Sequence, residues 1–178
     1  GQVKGMRGGF GEKKASMTLN RATQIERQPG SSFKPIAVYA PAIDLQVITP
    51  ATVIDDKPIY LGSDKSKPYP RNFDRKYSGL MTIRDAIRRS INVVAASVWM
   101  QIPDESLAYL KKAGIDRDNE RYVTIALGAP SKGVSPLQMA AAYVPFVHKG
   151  MYFEPTTYTK VYDSKGNLLL EKKPQYYP

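Results

Sequence analysis

The sequence predicts a mixed α+β domain, rich in helix with a few strands. Three observations predict it. Several stretches carry apolar residues at helical spacing between recognisable start and stop signals. TTYTKVYDSKGNLLLEKK (156–173) reads as two strands joined by a turn at Ser164-Lys165-Gly166-Asn167. Of the 178 residues, 42% are apolar, enough for a core and too many for global disorder. The length suits one domain.

The elements follow in chain order. GQVKGMRGG (1–9) alternates apolar and other residues before a glycine pair, and reads as a short strand ending in a turn. GEKKASMTLNRATQ (11–24) is polar and reads as a loop. From Ser31 to about Tyr39 the chain predicts a buried helix that Pro41 ends or kinks. From 47 to 80 it is rich in Pro, Tyr, Asp and Lys without a sustained period, which predicts a long ordered loop. Thr82 and Asp85 form a capping-box-like start for a helix over 82–90, with Ile83 and Ile87 on one face. NVVAASVWM (92–100) predicts a second, buried helix. PDESLAYLKKAG (103–114) predicts an amphipathic helix with Leu107 and Leu110 inward and Gly114 as its stop. The stretch 135–150 has Ser135 as N-cap, Pro136 at the first position, Gln138 completing a capping box, Pro145 as a kink and Gly150 as a stop. No internal repeat is visible.

Composition narrows the chemistry. There is no cysteine, so disulfides, thiolate metal sites and cysteine nucleophiles are excluded. The one histidine, His148, reads as a charge near a helix end. The net charge of +10 favours polyanions, or simply solubility. The basic residues are scattered and no nucleic-acid motif accompanies them, so no nucleic-acid partner is expected. No apolar run is long enough to span a bilayer, and no signal peptide is visible. The chain opens at Gly1 without an initiator Met, which suggests a piece of something longer.

The stretch RQPGSSFKP (27–35) carries the sharpest chemical suggestion. If a helix begins at Ser31, Lys34 lies three residues on and shares its face. A first-turn serine sits among free backbone N–H groups at the positive dipole end, which suits a developing anion. Burial against Phe33 and Ile36 would lower the Lys34 pKa toward that of a usable base. On four residues alone, an N-cap serine with a solvated lysine is the commoner arrangement.

The surroundings change the balance. NRATQIERQPGSSFKP closely resembles the block around the active serine of penicillin-binding proteins, especially the bifunctional class A proteins. GQVKGMRGG looks like the strand before that block. YPRNFDRKYSGLMTIRDAIRRS and LGAPSKGVSPLQMAAAYVPFVHKGMYFEP are also family-like, so the resemblance runs over nearly the whole chain. The family's second element, S-x-N, is matched by Ser90-Ile91-Asn92. The resemblance implies Ser31 as nucleophile, Lys34 as its base, Ser90 as proton relay, and Asn92 as a ligand for the substrate's peptide carbonyl that also helps fix Lys34. It implies a serine β-lactamase/penicillin-binding-protein-like transpeptidase fold.

The third family element, K-T-G, is not found; Ser131-Lys132-Gly133 is the nearest string and matches a different family segment. The expectation is therefore the N-terminal part (1–178) of a single transpeptidase domain, with the K-T-G strand and those after it in a second chain or missing segment. The resemblance further implies a D,D-transpeptidase acting on peptidoglycan stem pentapeptides ending in D-Ala-D-Ala, with β-lactams acylating the same serine. It implies exposure on the extracytoplasmic face of the bacterial membrane, with the membrane anchor outside this chain. No metal or organic cofactor is called for. A D,D-carboxypeptidase, a β-lactamase and a non-catalytic β-lactam sensor are the rivals on the same scaffold. No placed glutamate that would activate a deacylating water is visible, which argues against the β-lactamase.

Overall fold

The computed structural model describes residues 1–12, 14–61, 63–173 and 175–178. Two units divide the chain. One comprises Gln28–Lys111 and Asp116–Ser131; the other comprises Gly1–Arg27, Lys112–Ile115 and Lys132–Pro178.

The first unit is built around a helical stretch that changes register twice. A 3-10 turn, Gly30–Phe33, leads into a π-helical turn, Pro35–Tyr39, and then into α1, Ala40–Asp44. Phe33, Ala37, Val38 and Ala42 are fully buried, so the predicted buried helix is present. Pro41 does not end it. It falls in the first turn of α1, where a missing N–H costs little. In an α-helix the Ala37 carbonyl would take its hydrogen bond from residue 41, which has none to give. Ser106 Oγ donates to that carbonyl instead and in turn accepts from Trp99 Nε1 at 3.0 Å.

The predicted loop over 47–80 is only partly a loop. Its ends pair as β1, Val53–Asp56, and β2, Gly79–Thr82, antiparallel from Val53↔Thr82 to Asp56↔Gly79. Two aspartates in four residues hide β1 from propensity, because Asp is depleted in strands. Between the strands a Tyr60↔Tyr69 bridge orders the loop.

β2 runs directly into α2, Ile83–Arg89, whose N-cap Thr82 Oγ1 accepts from the Asp85 N–H at 3.2 Å, as the sequence predicts. Ile83 is buried, whereas Ile87 is partly exposed. α3, Asn92–Trp99, buries Val93, Val94, Ala95, Ala96, Val98 and Trp99, and α4, Pro103–Lys112, buries Leu107 and Leu110. A 3-10 turn at Val123–Leu127 had no sequence signal.

In the second unit the predicted N-terminal strand shrinks to a bridge, Gln2↔Thr156, with Val3 N–H donating to the Thr156 carbonyl at 2.9 Å. The 11–24 stretch carries no helix or strand among its described residues; Lys13 lies outside them. The predicted 135–150 helix is two, α5 (Pro136–Ala142) and α6 (Val144–Val147), parted at Tyr143 just before Pro145. The capping box forms as predicted: Gln138 N–H donates to Ser135 Oγ at 3.2 Å and Ser135 N–H to Gln138 Oε1 at 3.0 Å. β3, Tyr152–Phe153, pairs with the C-terminal β6, Tyr176–Tyr177, a ladder the sequence did not announce. β4, Lys160–Tyr162, and β5, Leu168–Glu171, form the predicted hairpin, its turn held by Asp163 Oδ1 accepting from the Lys165 and Asn167 N–H groups at 2.8 Å each.

The Trp99–Ser106–Ala37 relay gives a direct test of the first unit's packing. Ser106→Ala removes the acceptor of a buried indole N–H and a donor to the Ala37 carbonyl. A loss of about 1–3 kcal/mol is expected, read from the urea midpoint of unfolding. An unchanged midpoint would show that the relay does not hold the helices together.

Candidate active site

Ser31 lies inside the 3-10 turn and its side chain is exposed. It occupies the first helical turn, where backbone N–H groups have no partner inside the helix. The Lys34 N–H donates to the Ser31 carbonyl, which ties the two residues into one turn. No hydrogen bond joins Ser31 Oγ to another group among the described residues; the neighbouring Ser32 Oγ donates to the Pro29 carbonyl at 2.7 Å.

Lys34 is only 2% exposed. Its Nζ donates to Asn92 Oδ1 at 2.6 Å, to the Ser90 carbonyl at 2.7 Å and to Ser90 Oγ at 3.0 Å. An ammonium has three protons, and these three acceptors take them all. Burial lowers the Lys34 pKa from 10.5 to about 8. That leaves about one lysine in ten neutral at pH 7, against roughly one in three thousand for a free lysine. Two of the three partners, a carbonyl and an amide oxygen, can only accept. The Ser90 hydroxyl alone can both accept and donate, so it alone can pass a proton to or from Nζ.

Ser90 is placed by strain. It caps the C-terminus of α2 at φ 55°, ψ 44°, in the left-handed region that non-glycine residues rarely occupy. This turn aims both its carbonyl and its hydroxyl at Lys34. Two residues on, Asn92 opens α3. Its Oδ1 accepts from Lys34 while its Nδ2 donates to the Arg71 carbonyl at 2.8 Å, so the amide orientation is fixed from both ends. The structure thus joins Lys34, Ser90 and Asn92 by hydrogen bonds across a wide gap in sequence, with Ser31 in the same turn as Lys34.

Three further residues shape this site and had no assigned role in the sequence reading. Asn72 Oδ1 accepts from the Asn92 and Val93 N–H groups, and Asp56 holds Asn72 from behind. Gly128 abuts the residue before the serine: its carbonyl accepts from the Gly30 N–H at 2.9 Å, and a Cβ on Gly128 would lie 1.7 Å from the Gly30 carbonyl oxygen. The family-like strings contained Asn72 and Gly128, but neither motif spacing nor periodicity distinguishes them from ordinary loop residues. Asp74, Asp85 and Glu120 are engaged elsewhere: Asp74 accepts from the Lys76 N–H, Asp85 pairs with Arg88 and Glu120 with Arg117. His148 packs edge-on against Phe153, with ring centroids 4.6 Å apart.

Lys34, Ser90 and Asn92 form one hydrogen-bonded cluster, with Ser31 one turn before the lysine. Comparison with known proteins identifies the family. Residues 4–177 match the family described as penicillin binding protein transpeptidase domain. The chain belongs to that family. It is 41% identical over 184 residues to penicillin-binding protein 1A of Clostridium botulinum, an alignment covering 97% of this chain and 22% of that protein. The crystal structure of penicillin-binding protein 1A from Haemophilus influenzae superposes with a TM-score of 0.74 at 31% identity, over 90% of this chain and 24% of that one. The imipenem acyl-enzyme complex of penicillin-binding protein A from M. tuberculosis shares the fold, with a TM-score of 0.73 at 16% identity over 89% of this chain and 41% of that one. The chain thus spans about a fifth of the length of the curated relatives it matches.

Two outcomes follow from this geometry. Because the folded Lys34 value lies below the unfolded one, the unfolded state holds more protons between about pH 8 and 10.5. The Lys34 contribution to stability therefore rises with pH across that window. Lys34→Met should flatten the rise, as measured by urea unfolding at stepped pH; an identical slope in both proteins would contradict a desolvated Lys34. Gly128→Ala forces the Gly30 backbone away and should lower the melting temperature by several degrees, the equivalent of about 1–3 kcal/mol.

Proposed function

We propose that the chain carries the acylation machinery of a serine D,D-transpeptidase. The observation that carries this reading is the buried Lys34 ammonium, one turn from Ser31 and held by Ser90 and Asn92. Membership of the transpeptidase family supports it. So does the acyl-enzyme formed with imipenem by a protein of the same fold.

The steps follow from the groups present. Neutral Lys34 takes the Ser31 hydroxyl proton as Oγ attacks the carbonyl carbon of the penultimate D-Ala of a stem pentapeptide. The first-turn N–H of Ser31 supports the oxyanion. The peptide C–N bond breaks, and terminal D-Ala leaves with a proton returned from Lys34 through the Ser90 hydroxyl. Asn92 orients the substrate's peptide carbonyl. The amine of a neighbouring stem peptide then attacks the Ser31 ester, forms the crosslinking amide and restores the serine. A β-lactam acylates the same oxygen by opening its ring, so no leaving group departs.

The sequence holds no Lys-Thr-Gly. In this reading a K-T-G segment outside the sequence binds the substrate carboxylate and supplies the second oxyanion donor, and the chain works with that remaining part of the domain. In this reading the reaction takes place at the extracytoplasmic face of the membrane. Among the described residues no helix is long and apolar enough to cross it, and the anchor in this reading lies outside the chain.

Labelling with a fluorescent penicillin, followed by intact mass and peptide mapping, tests the proposal. The expected result is one adduct per molecule, on Ser31, absent from Ser31→Ala, and dependent on the polypeptide that completes the domain. No adduct in a folded, complete assembly would overturn it. Incubation with a stem-peptide mimic and an acceptor amine then separates the activities. A crosslinked product marks a transpeptidase, hydrolysis alone a carboxypeptidase, and neither a sensor.

A further inference from the structure

Asn92 reaches Lys34 only because something holds Asn92. Its own helix does not. The N-cap of α3 is Ile91, which has no side chain able to cap, so the first N–H groups of α3 need acceptors from elsewhere. Asn72, in the loop between β1 and β2, supplies one: its Oδ1 accepts from the Asn92 N–H at 3.0 Å and from the Val93 N–H at 3.2 Å. The preceding carbonyl, Arg71, accepts from Asn92 Nδ2. Two consecutive loop residues therefore grip the backbone and the side chain of Asn92 together.

The grip is anchored. Asn72 is 4% exposed and Asp56, at the end of β1, 1% exposed. Asn72 Nδ2 donates to Asp56 Oδ1 at 2.8 Å and to the Lys76 carbonyl at 2.9 Å, so both its donors and its acceptor are in use. Asp56 Oδ2 accepts from the Ser78 N–H at 2.9 Å, at the residue before β2. A carboxylate this buried is costly unless its partners are fixed. The cost is understandable if the carboxylate sets a position. Asp56 ties the loop to β2, β2 runs into α2, and α2 ends at Ser90. Asn72 holds the residue that follows the Ser90-Ile91 turn. The pair thus fixes that turn from both sides.

We infer that Asn72, anchored by Asp56, is a positioning residue for the acylation reaction: it sets the Asn92 amide against Lys34 Nζ and keeps the strained Ser90 turn in register with it. The inference deepens the acyl-transfer reading and rests on it. Both residues are buried, and both act through Asn92 and Ser90.

The test compares the wild type with Asn72→Ala, Asn72→Asp and the exchanged pair Asp56→Asn with Asn72→Asp, in the complete protein that contains this domain. Acylation by fluorescent penicillin is measured per folded molecule, below every melting temperature, from pH 6 to 10. Asn72→Ala removes the grip. Asn72→Asp sets two carboxylates against each other in the interior. The exchanged pair restores the acceptor for α3, the bond between positions 56 and 72, and the acceptor for Ser78, and gives up only the bond to the Lys76 carbonyl. The expected result is a loss of about tenfold to a hundredfold in acylation rate for the single variants, the scale of a small misplacement of reacting groups. The pH midpoint of the rate should move away from that of the wild type, and the exchanged pair should recover most of both. Single variants that melt earlier but acylate at the wild-type rate and midpoint would reduce Asn72 to a structural cap and overturn the inference. If neither single variant folds, the exchanged pair decides: folded and reactive supports the inference, folded and unreactive overturns it. Failure of the wild type itself to acylate is a different result, which removes the acyl-transfer reading and this inference with it.

Discussion

The three-point hold on the Lys34 ammonium is the interaction on which the rest of the site depends. A lysine 2% exposed is expensive to keep charged, and here all three protons have an acceptor. That arrangement does two things at once. Burial lowers the pKa to about 8, so deprotonation is within reach near neutrality. The fixed acceptors keep Nζ from searching for other partners. A more open site would give a fully charged lysine that is a poor base. A wholly apolar one would leave the charge unsatisfied.

Holding those acceptors sets demands on the surrounding fold. Two of them come from Ser90 and one from Asn92, so the α2–α3 turn has to be rigid. α2 is started by the Thr82 cap and reached directly from β2. β2 is paired to β1, and Asp56 at the end of β1 reaches back through Asn72 to the start of α3. On the other side, Gly128 sits too close to Gly30 for any side chain, which fixes the approach to Ser31. Helix caps, a two-stranded ladder and a glycine contact thus converge on one nitrogen atom.

Much of this was legible in the sequence, for physical reasons that differ by element. α2, α3, α4 and the capping box of α5 announced themselves through periodic apolar residues and polar caps, which are local signals. The β4–β5 hairpin did so through its turn residues. Ser31, Lys34, Ser90 and Asn92 were found by resemblance, since S-x-x-K alone is too short to stand out. What escaped was non-local. β1 reads as polar because its two aspartates face different duties, one half-buried and paired with Lys57 and one buried against Asn72. The β3–β6 ladder joins short segments far apart in the chain, with only two residues on each side. Pro41 looked like a stop, but its missing N–H is compensated by Ser106, a residue no local window contains.

Ser90 combines a local backbone cost with a position against Lys34. A left-handed helix cap is normally glycine's place, and a serine there gives up roughly 1–2 kcal/mol of backbone energy. Glycine would relax that strain and keep the carbonyl bond to Lys34. It would also delete the one hydrogen-bond partner of Nζ, among the described residues, able to both take and give a proton. Asn tolerates the same backbone, yet its amide oxygen only accepts and its amide nitrogen only donates. Threonine keeps a hydroxyl but adds a branch at Cβ, which makes the left-handed region costlier still. Serine is the residue that satisfies both demands: a hydroxyl in reach of Lys34 and a Cβ small enough for the turn. In the proposed mechanism, the strain at this position is the counterpart of a hydroxyl held against Lys34.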